Sequence, residues 1–309
     1  MPGGTSHRDR SAQPAPLTSR GAGVLRCAVW GVLNVTPDSF SDGGQFLAAQ
    51  DALARGLSLG AAGADVVDVG GESTRPAGRT YGAGYERVGV DEEVRRTEPV
   101  VAGLVAQGVT VSIDTTKAEV ARRAAQQGAR FVNDVSMGAS DALLEVVADT
   151  GLTLVLMHNR GRGEVAGAQI AYDDVVRDVM RELSEAASRA VRVGVPADRI
   201  WVDPGIGFAK TATQSAALLA RTHELVALGY PVLVGPSRKS FIAELAPRPS
   251  GERPGPDQRV FGTAAAVTAA VLGGAAAVRV HDVDEMRQVV DVAVGLRAAG
   301  WRASEGPHA

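Results

Sequence analysis

Residues 231–241, PVLVGPSRKSF, read as a short buried strand that ends in a cluster of polar groups. Val232, Leu233 and Val234 form the apolar run, and Gly235 and Pro236 punctuate it. Ser237, Arg238, Lys239 and Ser240 then crowd together before Phe241 opens a helical pattern. Two cations at a strand end fit an anionic or electron-rich ligand, and they fit a solvated turn equally well. The choice between those readings depends on the rest of the chain, where seven other strand-like runs end in the same way.

Those runs are CAVWGVLNV (27–35), ADVVDVG (64–70), TVSIDT (110–115), RFVNDVS (130–136), TLVLMH (153–158), IWVDPG (200–205) and AAVRVHDV (276–283), with PVLVG (231–235) as the seventh in chain order. Helical patterns cover 48–62, 91–106, 117–127, 140–149, 172–193, 213–228, 259–273 and 284–299, each too long for a hairpin link. Strict alternation of strand and helix predicts parallel strands joined by crossovers. Eight such units favour a closed (β/α)8 TIM barrel, an α/β fold in a single domain, over an open doubly wound sheet. The lack of GxGxxG after the first strand weakens the dinucleotide-binding alternative.

Polar residues gather at the C-terminal ends of these strands: Asn34, Asp68, Asp114, Asn133 with Asp134, His158, Asp203, Ser237 to Lys239, and Arg279 with His281. Each alone reads as a cap or a turn residue. In a parallel barrel all these ends share one face, which is where such barrels place their chemistry, so together they predict a composite site. Two long turn-rich stretches, 36–44 and 70–90, leave that same face and read as lids that exclude water. A third, 247–258, reads as a tolerated surface insertion in the crossover after the seventh strand.

The 309 residues allow a large core. With 45% apolar, 22% charged and only 4% aromatic residues, alanine, valine and glycine are expected to do most of the packing. A net charge of −3 gives no basic footprint for nucleic acid, and no run of 18 apolar residues suggests a membrane span. The single cysteine, Cys27, reads as packing in a reducing, cytoplasmic setting. Residues 1–24, rich in Pro, Gly, Ser and Arg, lack an apolar segment and read as a disordered tail rather than a secretory signal. The expected division is a disordered tail at 1–26, the barrel at 27–301 and a second tail at 302–309.

GVLNVTPDSFSDGG, ADVVDVGGESTRP, VSIDTT, FVNDVS, DPGIGFAK, GPSRKSF and VRVHDV occur in this order at barrel-like spacing. Over roughly residues 28–300 the chain resembles the dihydropteroate synthases. The resemblance implies an enzyme that condenses 6-hydroxymethyl-7,8-dihydropterin diphosphate with 4-aminobenzoate, a homodimer that uses Mg2+ and is a target of sulfonamides. Arg279 and His281 match the family's diphosphate pair, and a guanidinium offers phosphate a planar fork. Asn34 matches the metal-associated asparagine, its amide oxygen being a hard ligand suited to Mg2+. Asp203, Asn133 and Asp114 match the pterin contacts. Gly235, Met157 and Phe208 fall in the same pocket, although the last two fit ordinary barrel filling as well.

Lys239 is expected between pterin and aminobenzoate, and Ser240 at the helix start is expected to seat the aminobenzoate carboxylate. Asp38, Ser39 and Phe40 of the first loop, with Ser73, Thr74, Arg75 and Pro76 of the second, match segments that complete the aminobenzoate pocket. The catalytic set implied is therefore Asp114, Lys239, Arg279 and His281. Two departures stand out: the second loop is longer than the family pattern, and Met137 follows DVS where the family usually has glycine. A corrinoid-type pterin-dependent methyltransferase domain shares the Asp and Asn contacts but would not need STRP or SRK. A non-catalytic pterin-binding paralogue should have lost the lysine or the diphosphate groups.

Overall fold

Short β-branched runs become the strands, and the longer stretches with helical periodicity between them become the helices. The computed structural model describes residues 26–35, 44–72, 88–160 and 171–301. In chain order they form β1 (Ala28–Asn34), α1 (Gly44–Ala61), β2 (Val66–Gly70), α2 (Val90–Ala106), β3 (Val111–Asp114), α3 (Ala118–Gln126), β4 (Phe131–Asp134), α4 (Asp141–Thr150) and β5 (Thr153–Met157). The order continues with α5 (Val175–Val193), β6 (Ile200–Asp203), α6 (Ala212–Ala220), α7 (Thr222–Val226), β7 (Leu233–Val234), α8 (Ser240–Leu245), α9 (Val260–Leu272), β8 (Ala277–Val280) and α10 (Val283–Ala298). Both expected tails lie outside the described residues except for Arg26, which ion-pairs with Asp65.

The eight strands pair in parallel in the order β6-β5-β4-β3-β2-β1-β8-β7. A bridge between Val202 and Val232, with the Val202 N–H donating to the Pro231 carbonyl at 3.0 Å, brings the two outer strands together. The ring is nearly closed, as the count of eight predicts. β7 is only two residues long because Pro231 and Pro236 flank it and neither can donate to a ladder.

Alternation along each strand sorts the side chains into two layers. Val67, Val69, Val111, Ile113, Val132, Leu154, Leu156, Ile200 and Val202 face outward into the helices and build the main core. Burying each such side chain contributes about 1.5–3 kcal/mol. The inward positions are different. Trp30, Val66, Phe131, Val155, Trp201, Leu233 and Ala277 form a separate buried cluster inside the barrel. Trp30 meets Phe131 edge-on at 4.9 Å, and Phe131 meets Trp201 at 5.7 Å. Valine and alanine, joined by leucine, carry the packing of the outer layer, whereas aromatic residues add the bulk of the inner one. A barrel interior is wide enough to need large side chains, and two tryptophans and a phenylalanine fill it.

Other boundaries moved for local reasons. The helix expected over 213–228 is two helices, because Arg221 leaves helical geometry (φ −106°, ψ 26°) and reaches Asp174 and Glu224. The helix expected from residue 172 starts at Val175, since the Asp174 carboxylate accepts from the N–H groups of Val176 and Arg177. Met137 adopts φ +59°, a left-handed conformation that glycine takes freely and other residues rarely enter. The 247–258 segment is exposed as expected, yet its end is tied down: Asp257 accepts from the Arg238 guanidinium at 2.6 Å.

Candidate active site

Above the aromatic plug, the inward positions of most strands turn polar. The pairing register sets Asn34, Gly70, Asp114 and Asn133 side by side across β1, β2, β3 and β4. Asp68 lies one step deeper, and Met157 and Asp203 are partners across β5 and β6. Buried side chains at this level are therefore held by the same ladder that makes the barrel, a rigid mount for a site.

Arg279, inward on β8, spans the floor. Its Nε donates to Asp68 Oδ2 at 2.5 Å and its Nη2 to Asp114 Oδ2 at 2.8 Å. The Asn133 amide donates to the same Asp68 oxygen at 3.1 Å. Asp68 is fully buried and Asp114 nearly so, so one guanidinium is shared by two carboxyl groups that water hardly reaches. Burial pushes the Asp114 carboxyl up to about 7, with Arg279 pulling it down and the charge of Asp68 pushing it further up. Burial likewise raises Asp203, against the pull of Lys239 and a hydrogen bond from the Gly205 N–H at 2.7 Å.

Lys239 enters from the turn after β7. Its ammonium donates to the Ile206 carbonyl and lies 4.6 Å from the centroid of the Phe208 ring. Burial lowers it to about 8, opposed chiefly by Asp203. Gly235 keeps the centre open: a Cβ there would lie 3.8 Å from Arg279 Cβ, and 3.9 Å from both Asp203 Oδ2 and Lys239 Nζ. A Cβ on Gly70 would lie 3.6 Å from Asp114 Cβ and 3.9 Å from Asn34 Oδ1. Asp114, Asn133, Asp203, Gly235, Lys239, Phe208, Met157, Arg279 and Asn34 thus converge on one face.

The structure adds detail at three positions that the sequence singled out. His281 lies just past the end of β8, where the Ser237 hydroxyl accepts from its backbone N–H at 3.2 Å and sits 3.0 Å from its Nδ1. Arg279 turns toward the carboxylates. Two positions apart in sequence, Arg279 contacts the carboxylates and His281 contacts Ser237. Ser240 begins α8, a helix of only six residues, preceded by Lys239 in extended geometry. Arg238, the other cation of SRK, points away: at φ +58° it pairs with Asp282 and Asp257 and braces the turn.

Asp38, Ser39, Phe40, Ser73, Thr74, Arg75 and Pro76 lie outside the described residues. The start of the second loop is described and firmly held. Glu72 and the buried Glu93 both accept from the Lys117 ammonium, and Arg96 donates to the Gly71 carbonyl at 3.1 Å. Sequence reasoning also passed over Asp68, as a strand end without an assigned role, and Lys210. A lysine in a loop ordinarily reads as solvated; Lys210 is buried, which lowers it to about 7.

For Mg2+, the Asn34 amide oxygen is a hard donor at the rim, which suits a cation that keeps several waters and takes the remaining oxygens from a substrate. No group of three His, Cys, Asp or Glu side chains among the described residues forms a protein cage for an ion. Asn34 fits the first kind of site.

The family model "Pterin binding enzyme" matches residues 30–281. The chain is 48% identical over 286 residues to the dihydropteroate synthase of Mycobacterium leprae, covering 91% of this chain and 95% of that one. The chain belongs to the dihydropteroate synthase family. Among solved members, the Xanthomonas albilineans dihydropteroate synthase with 4-aminobenzoic acid superposes with a TM-score of 0.79 at 43% identity, over 88% of this chain and 94% of that one. The Yersinia pestis dihydropteroate synthase with a sulfonamide drug complex also gives 0.79, at 38% identity over 91% and 98%. The (β/α)8 barrel is therefore the family's fold as well as the one the alternation predicts.

Proposed function

We propose that this chain condenses 6-hydroxymethyl-7,8-dihydropterin diphosphate with 4-aminobenzoate to give 7,8-dihydropteroate and diphosphate. The observation that carries this reading is the set of buried acceptors at one level of the barrel. Asp114 Oδ1 and Asn133 Oδ1 are buried with no donor among the described residues, and Asp203 stands across from them. Buried acceptors left without donors are costly, and a flat heterocycle edge carrying several N–H groups would satisfy them.

In this reading Asp203, Asn133 and Asp114 hold the amino-pyrimidinone edge, and Met157 and Phe208 cover the ring. The amine nitrogen forms a bond to the exocyclic carbon while the C–O bond to diphosphate breaks. Diphosphate leaves with the bonding pair, and the new nitrogen gives up one proton. Positive charge that develops on that carbon is stabilised by the Asp114 carboxylate, while Arg279 and Lys239 supply positive charge, and His281 a ring N–H, to the oxygens that gain negative charge. 4-Aminobenzoate is neutral at its amine near pH 7, so no strong base is needed. Asn34 would hold Mg2+, which when bound neutralises diphosphate charge. Ser240, with the segments 38–40 and 73–76, is assigned to the aminobenzoate, and sulfonamides are expected to compete there. The presence of Lys239, Arg279 and His281 argues against a non-catalytic paralogue.

The test is to mix the purified chain with dihydropterin diphosphate, 4-aminobenzoate and Mg2+. The expected result is diphosphate release that requires the amine. Pterin binding without amine-dependent release would instead favour the paralogue.

A homodimer and a cytoplasmic setting complete the proposal. No described helix is long and apolar enough to cross a membrane. Cys27 is buried and pushed up to about 12 mainly by burial, so it is inert. Phe261 is 87% exposed on α9, with Leu245 on α8 and Val292 and Leu296 on α10 also exposed on neighbouring helices, which suits a second copy. Phe261→Asp, a change that removes no core contact, is expected to shift the light-scattering mass from dimer to monomer. A monomeric unaltered chain would remove the dimer from the reading.

A further inference from the structure

Lys210 is a buried lysine with no carboxylate in hydrogen-bonding contact among the described residues. Its three N–H donors go to the Gly205 carbonyl at 3.1 Å, the Phe208 carbonyl at 3.0 Å and His158 Nδ1 at 2.9 Å. The Glu182 carboxylate can only accept, so the imidazole proton sits on Nε2 and Nδ1 is the acceptor that faces Lys210. There it donates to Glu182 Oε2 on α5 at 3.0 Å. Burial and the neighbouring Lys210 charge lower His158 to about 3, which keeps the ring neutral. Glu182, His158 and Lys210 thus form one chain of hydrogen bonds from the helix layer to the turn after β6, every atom with its partner. Arg160 holds Glu182 in turn, its Nε donating at 3.1 Å.

That turn, residues 204–209, is pressed against β5. His158 N–H donates to the Asp203 carbonyl at 2.8 Å, and a Cβ on Gly205, at φ +65°, would fall 2.0 Å from the His158 carbonyl oxygen. Both carbonyls that Lys210 grips belong to the turn. Between them lies Ile206, whose carbonyl accepts from Lys239, and at its end lies Phe208, whose ring faces the same ammonium. We propose that Lys210 is a positioning residue that, braced by His158 and Glu182, shapes the turn so that Ile206 and Phe208 aim Lys239 at the substrates. This rests on the dihydropteroate synthase reading and adds a residue that acts only through another.

A double-mutant cycle tests it. Lys210→Met is expected to lower kcat/KM by roughly 10- to 100-fold, the scale of a misplaced group at a reacting centre. Lys239→Met is expected to lose more. If Lys210 acts through Lys239, the double variant loses no more than Lys239→Met alone, to within about twofold, since contacting residues that work as a unit are not additive. Losses that multiply, or an unchanged kcat/KM in Lys210→Met, would overturn the proposal. A merely structural role lowers thermal stability but leaves the losses multiplicative. Should Lys210→Met fail to fold, His158→Leu, which removes the third partner of Lys210, enters the same cycle with the same criterion. The cycle is also read in the Kd of 6-hydroxymethyl-7,8-dihydropterin alone. Absence of amine-dependent diphosphate release by the unaltered chain would then count against the reading of function, while multiplicative losses in pterin binding would count against the role of Lys210.

Discussion

Asp114→Asn is expected to bind dihydropterin within a few fold of the unaltered chain and to turn it over roughly 10²–10³-fold more slowly, the scale seen when one preorganised charge-stabilising group is lost. Asparagine is nearly isosteric. Its amide oxygen can still accept the Arg279 Nη2 donor that now bonds Asp114 Oδ2 at 2.8 Å, so the floor of the site should keep its shape. What disappears is negative charge in a dry setting, which ground-state recognition of a neutral ring needs less than a carbon developing positive charge. The measurement is kcat beside the Kd of the pterin. Retained turnover would remove the carboxylate from the mechanism.

The same carboxyl shapes the pH dependence. It is pushed up to about 7 by burial, and Lys239 is lowered to about 8 by burial. If the reaction uses Asp114 ionised and Lys239 protonated, kcat/KM rises with pH through about 7 and falls as pH passes about 8. Asp114→Asn should lose the acidic limb only. Stability follows the opposite sign. A carboxyl whose folded pKa lies above its unfolded value holds its proton longer in the fold, so this group costs stability progressively as pH rises from about 4 to about 7, and no further above that.

Arg279→Met is expected to destabilise the fold by about 3–5 kcal/mol, because it strands two buried carboxylates that share one cation. Asp68 is fully buried and Asp114 is 6% exposed, and nothing among the described residues replaces the guanidinium beside them. The carboxylates left behind can escape the penalty only by taking up protons, so the deficit should shrink as pH falls from 8 to 5. Adding Asp68→Asn should restore part of the loss by removing one stranded charge. Urea denaturation at the two pH values measures both effects. An Arg279→Met chain as stable as the unaltered one at pH 8 would show that Arg279 does not neutralise the pair.

Arg279 also illustrates what kind of fact a sequence carries. VRVHDV suggests a cation and an imidazole working side by side on diphosphate. In the fold, Arg279 binds Asp68 and Asp114, residues 211 and 165 positions away in the chain, while His281 turns to Ser237. SRK held a similar ambiguity. Its two cations look alike in sequence, but Arg238 braces Asp257 and Asp282 whereas Lys239 enters the site.

The sequence by itself determined the architecture and the level at which the chemistry sits. Eight β-branched runs alternating with helices leave little choice but parallel strands, and polar residues at their C-terminal ends must then share one face. Period-two alternation does the rest locally. What only the tertiary structure decided is which charges meet and what lies beneath them. Trp30, Phe131 and Trp201 come from three strands and fill the interior together, a contact no local pattern encodes. Lys210 reads as a solvated loop lysine until closure of the barrel buries it against His158. Partner choice among buried charges is set by distances across the ring, and those exist only once all eight strands are in register.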